Sequence, residues 1–122
     1  MKHILSFLIL GFLTLAACKR ANDHNAMLIG KWVGKEWLVA GKPIGEDASQ
    51  VGFEFTADGD YSAHFGSQEE SGVWRTQKEK LYTTAQGEQE IVVKILLLDA
   101  TTLKFEMNRG GRQETLELTK AQ

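Results

Sequence analysis

Cys18 is the residue whose chemistry is most clearly marked by its neighbours. It is the only cysteine in 122 residues, and it follows Leu15-Ala16-Ala17. A thiol is the strongest nucleophile among ordinary side chains, and two small residues before it let an extended backbone enter a peptidase cleft. One sulfur cannot build a disulfide framework, so the fold must stand on its core alone. The other reactive side chains are scattered. His24 follows Asp23 in a polar stretch and reads as solvated, as does His64 on the polar side of an alternating segment. Neither sits among the three or four converging ligands that a metal site needs. Glu54 and Asp60 alternate outward, which suits solvated positions better than an acid/base pair. No Ser/His/Asp order has a plausible context, and no glycine loop precedes a helix. The expectation is one modified residue, Cys18, with no catalytic residues, no cofactor and no metal.

The elements around Cys18 say how it is used. Met1-Lys2-His3 is a short basic segment and 4–15 is an apolar run, together the anatomy of an export signal. The run is too short to cross a bilayer core, which takes roughly 20 apolar residues. It gives way to the polar stretch 19–25. Leu-Ala-Ala-Cys resembles the lipobox of bacterial lipoproteins. That resemblance implies a diacylglyceryl group on the Cys18 thiol, cleavage just before it, and acylation of the new amino terminus. The expected organisation is a signal peptide over 1–17, a lipidated tether over 18–27 and a folded domain over 28–122. Two or more acyl chains hold a protein stably at a membrane where one does not. The expected location is the bacterial cell envelope. Lys19 stands where an aspartate would resemble an inner-membrane retention signal, which favours the outer membrane.

Charge excludes little but is informative. Fourteen basic and sixteen acidic residues give a net charge of −2. The balance is too mild and too evenly spread to imply nucleic acid or an anionic membrane surface as partner. A monomer is expected.

Beyond Gly30 the dominant period is two, the signature of strands with one buried face. Val51, Phe53 and Phe55 alternate with polar residues, as do Tyr61, Ala63 and Phe65, then Leu103, Phe105 and Met107, then Leu116 and Leu118. Asp58-Gly59 is a hairpin signal, because glycine supplies the positive φ of a tight turn. The pattern predicts eight strands near 31–39, 50–57, 60–66, 71–77, 80–85, 89–98, 101–107 and 112–119. Ala26 to Ile29 could form one helical turn before them. Consecutive hairpin-linked strands with one apolar face are best satisfied by closure, which removes both edges. The expected fold is all-β, an eight-stranded antiparallel up-and-down meander closed into a small barrel. The longer connections, led by 40–50, would share one open end, and the tight turns the other. Glu46-Asp47 and Glu69-Glu70 would form a solubility rim at the open end.

Gly30-Lys31-Trp32, then Phe53 to Tyr61 around Asp58-Gly59, then Gly72-Val73-Trp74 and Leu103-Lys104-Phe105 together are similar to the small lipocalin-like domains of bacterial lipoproteins. The resemblance covers most of 28–120 and implies an eight-stranded barrel that can hold an apolar ligand. In larger lipocalins a basic residue near the end of the last strand packs over the first-strand tryptophan. Here Lys120, not an arginine, is the candidate.

An eight-stranded barrel is wide enough either to be filled by side chains or to hold one small ligand. The expected interior is Trp37, Val51, Phe53, Phe55, Tyr61, Phe65, Ile91, Val93, Ile95, Leu103, Phe105, Met107, Leu116 and Leu118. A mouth lined by Trp37, Phe53, Tyr61 and Phe65 would bind a small hydrophobic ligand, with Trp32 plugging the base. The alternative is a filled barrel that docks an envelope protein partner. Trp74 is open: Val73 and Trp74 point to opposite faces, and an outward Trp74 would mark an apolar patch.

Overall fold

The computed structural model describes residues 24–45 and 47–121, with Arg109 by its backbone only. The export segment and Cys18 lie outside the described residues. Nine antiparallel strands follow one another: β1 Gly30–Val39, β2 Lys42–Pro43, β3 Val51–Phe55, β4 Asp60–Phe65, β5 Gln68–Gln77, β6 Lys80–Ala85, β7 Glu90–Leu98, β8 Thr102–Arg109 and β9 Arg112–Lys120. Each of β3 to β9 pairs with its sequence neighbour, and β1 pairs with both β3 and β9. That last pairing, from Trp32 opposite Lys120 to Val39 opposite Glu114, closes eight long strands into a barrel. β2 is a short addition that folds back on the end of β1, Val39 opposite Lys42.

The strands lie within a few residues of where alternation places them. Buried Leu28, Trp32, Val51, Phe55, Tyr61, Ala63, Trp74, Leu81, Val93, Leu103, Phe105, Leu116 and Leu118 form one core, with Trp37, Phe53, Phe65, Ile95 and Met107 packed against it. Ile91 departs from the expected interior and is 53 % exposed. Register settles Trp74. Tyr61 lies opposite Gly72, so the inward face of β5 continues through Trp74, which is buried while Val73 is exposed.

The long connection from Ala40 to Gln50 does not hang in solvent. β1 and β3 pair only from Gly30 to Val33, and beyond that a 3₁₀ turn, Ala48–Gln50, packs on β1. A Cβ at Gly34 would stand 2.0 Å from the Ala48 carbonyl oxygen, so only glycine lets the turn seat there. Asp47 is exposed, and it does more than sit in solvent. It caps this turn, accepting from the Ser49 N–H at 2.9 Å and the Ser49 hydroxyl at 2.6 Å, and those bonds hold its pKa below 3.8.

Candidate functional site

The two ends of the barrel differ. At the closed end Leu28 sits in the 3₁₀ turn Ala26–Leu28 and is fully buried. Its carbonyl accepts the Trp32 indole N–H at 2.8 Å. The Lys120 ammonium lies 4.6 Å over the Trp32 ring and donates to the Ile29 carbonyl. Lys120 is thus the basic residue seated over the first-strand tryptophan. Trp74 donates its N–H to the Thr56 carbonyl at 3.0 Å and meets Phe55 edge-on. His24 is not the solvated residue that its polar context suggests. Its Nε2–H donates to the Trp74 carbonyl at 2.9 Å, and its ring meets the indole edge-on. Asn25 donates its N–H to the buried Thr76 hydroxyl at 2.9 Å. His24 and Asn25, expected within the tether, are thus docked on the barrel.

At the open end the packing loosens. Phe53 and Phe65 are half-buried and meet edge-on with ring centroids 5.7 Å apart. Phe53 also stacks on Phe55 and meets Phe105, each at 5.8 Å. Tyr61 joins this aromatic chain through Phe55 but is only 4 % exposed, below the rim. Its hydroxyl bonds to Thr83, and burial, with Glu70 and Glu88 nearby, pushes its pKa up. Trp37 stands on β1, beside β3 in the sheet, in register with Leu116 on β9. Its indole nitrogen is fully buried and has no hydrogen-bond partner among the protein groups. Of the four aromatic residues expected at the mouth, Phe53 and Phe65 touch, Tyr61 lies deeper, and Trp37 packs against the core from β1.

The acids at this end divide. Glu70 lies opposite the buried Ala63 and so faces inward, whereas Glu69 lies opposite the exposed His64. Burial first, and Glu88 second, raise the pKa of Glu70 above 4.5. Glu114 is buried, registered between Val39 and Met107. Inward carboxyls on an apolar wall are absent from the period-two reading, because alternation marks faces only where apolar residues alternate with polar ones.

A concavity of about 710 Å³ runs over β1, β3, β4 and β5 and includes Lys31, Glu54, Ser62, His64, Glu69 and Ser71 as well as Phe53. The polar positions alternate with core residues and face outward. His64 is fixed there: Nδ1–H donates to the Gln50 carbonyl at 2.9 Å, and the ring covers Gly52, where a Cβ would stand 2.2 Å from Nε2. The imidazole is turned toward β3 and away from Ser71 and Glu69 on β5, so no nucleophile–base relay forms. Among the described residues no group of three or more His, Cys, Asp or Glu is placed to hold a metal ion.

Comparison with known proteins agrees with this architecture. A family model described as "Lipocalin-like domain" matches residues 28–105. Among solved structures, a lipocalin-like protein from Bacteroides uniformis ATCC 8492 superposes with a TM-score of 0.61 at 16 % identity, over 78 % of this chain and 99 % of that one. An uncharacterized protein from Bacteroides eggerthii DSM 20697 superposes with a TM-score of 0.59 at 13 % identity, over 77 % of this chain and 99 % of that one. At such identities the likeness is one of fold. No curated protein matches the chain. The family match spans well over half the chain, from the turn that plugs the barrel to the middle of β8, and the chain belongs to the lipocalin-like domain family.

Proposed function

We propose that this is a lipid-anchored protein of the bacterial cell envelope whose barrel takes up a small apolar ligand at its open end. The observation that carries the ligand reading is the buried indole N–H of Trp37, which has no protein acceptor at the end where the aromatic lining is only half-buried. A buried donor left unpaired costs about 1–3 kcal/mol. An apolar molecule bearing one carbonyl, ether or hydroxyl oxygen would relieve that cost while covering Phe53 and Phe65. The anchor reading rests on Leu15-Ala16-Ala17-Cys18 behind a short apolar run. Binding is favoured over catalysis because the candidate reactive groups are engaged in the fold. His24 and His64 donate to backbone carbonyls, and Asp47 and Asp99 hold turns.

The test is native mass spectrometry of the processed protein purified from bacterial envelopes, before and after denaturation. A bound mass that leaves on denaturation supports the carrier and identifies its ligand class. A bare mass, unchanged after incubation with mixed envelope lipids, points to a filled barrel that docks an envelope protein.

A further inference from the structure

β7 carries outward apolar side chains that the barrel core does not use. A bulge between Ile95 and Leu97 breaks the alternation and leaves Leu96 and Leu97 exposed at 43 % and 45 %. Val92, at 48 %, and Val73, at 55 %, extend the patch. Lysines surround the leucines: Lys80 lies opposite Lys94, Lys104 lies opposite Leu97, and Lys78 stands in the closed-end turn. Acids share the region: Glu117 lies opposite Lys104 and pairs with Lys35 at 3.5 Å. Glu90 pairs with Arg75 at 3.1 Å, Glu106 lies opposite Lys94, and the Asp99 carboxylate accepts from the N–H groups of Thr101 and Thr102. Glu79 shares the turn with Lys78. Bulges re-aim side chains and behave as built features. Leucine beside lysine is the composition of surfaces that sit at the level of lipid headgroups.

The path of the chain indicates what covers the patch. His24, the first described residue, shares a hollow of about 370 Å³ with Val73, Arg75, Tyr82 and Glu90 on this wall. Five residues separate Cys18 from His24, a reach of at most about 20 Å. We infer that the outer wall of β6, β7 and β8 lies against the surface of the anchoring membrane, with Leu96 and Leu97 entering the headgroup layer and the lysines meeting lipid phosphates. The inference rests on acylation of Cys18. Two leucines would hold a free protein weakly, but a short tether raises the effective concentration to about the millimolar range, where a weak contact is populated. The barrel then lies on the closed-end part of this wall, and the open end stays in water, where ligand is exchanged.

The test uses the full chain, processed in bacterial cells and reconstituted into vesicles of phosphatidylcholine and phosphatidylglycerol. An environment-sensitive fluorophore is placed at Leu97→Cys or, at the open end, Ser67→Cys, with a quencher carried on the lipid. The expected result is a blue shift and several-fold quenching at position 97, neither at position 67, and a loss of quenching at 97 when Lys94→Glu and Lys104→Glu are added. Equal quenching at both positions, or stronger quenching at 67, overturns the orientation. The mass of the same sample separates the two readings. Acylated protein with position 97 unquenched overturns this inference alone, whereas protein without acyl groups overturns the anchor and this inference with it.

Discussion

At the closed end of the barrel, Trp32 and Trp74 are 1 % and 2 % exposed, and each donates its indole N–H to a backbone carbonyl. At the open end Trp37 is half-buried, and its N–H is buried without an acceptor. The three side chains are chemically identical, so the contrast comes from their surroundings. The closed end gains a plug in Leu28, a cation in Lys120 and a docked N-terminal segment through His24 and Asn25. The open end has a single 3₁₀ turn over Gly34 and half-buried phenylalanines beside an inward Glu70. A satisfied buried hydrogen bond adds about 1 kcal/mol, whereas an orphaned donor costs about 1–3 kcal/mol. One end therefore stabilises the fold, and the other leaves polar and apolar surface for another molecule to complete.

Substitutions at the two ends should separate these roles. The largest effect is expected for Trp32→Ala, which removes the largest fully buried side chain and should lower unfolding free energy by about 3–5 kcal/mol in a urea titration. Lys120→Met keeps the stem but removes the ammonium over Trp32 and the donor to Ile29. Its expected loss is about 1–2 kcal/mol by the same measurement, and an unchanged midpoint would show that the plug holds without its cation. Acid should have a smaller effect. The pKa values of Asp47 and Asp99 are held below 3.8 by turn hydrogen bonds, those to Ser49 and to Thr101 and Thr102 respectively. Their contribution is present above that value and is lost as pH falls through the lowered folded-state values. Glu70 runs the other way: its folded pKa is raised above 4.5, so its share is full below that value and is lost as pH rises through the folded one. Thermal unfolding followed from pH 7 downward, in wild type and in Glu70→Gln, checks both signs. The variant should lose the part of the profile in which mild acid helps.

Much of this architecture is legible in the sequence because period two is a strong signal wherever apolar and polar residues alternate. Val51 to Phe55 and Leu103 to Met107 place both strand and face. The signal fails where alternation stops. In Ile95-Leu96-Leu97-Leu98 all four residues are apolar, and only the bulge decides that the middle two face solvent. Val73-Trp74 offers two apolar candidates for one inward position, and the pairing of Gly72 with Ala85 and Tyr61 decides it. His24 and Asn25 are polar and without period, so their docking to Trp74 and Thr76, some fifty residues away, leaves no local trace. The mouth is legible only as a set of aromatic residues. The orphaned N–H of Trp37 and the inward Glu70 depend on register and depth, which composition does not carry.

The claim that the open end is a binding site is tested most directly at Trp37. Phenylalanine there keeps the apolar ring and removes the unpartnered donor, so Trp37→Phe should leave the unfolding free energy within about 1 kcal/mol of wild type, or raise it. The measurement is a titration of wild type and of this variant with 6-propionyl-2-dimethylaminonaphthalene, a neutral apolar fluorophore with a carbonyl acceptor. Saturable uptake by wild type, weakened several-fold in the equally stable variant, is the predicted result. No saturable uptake, or identical uptake by both proteins, would contradict it.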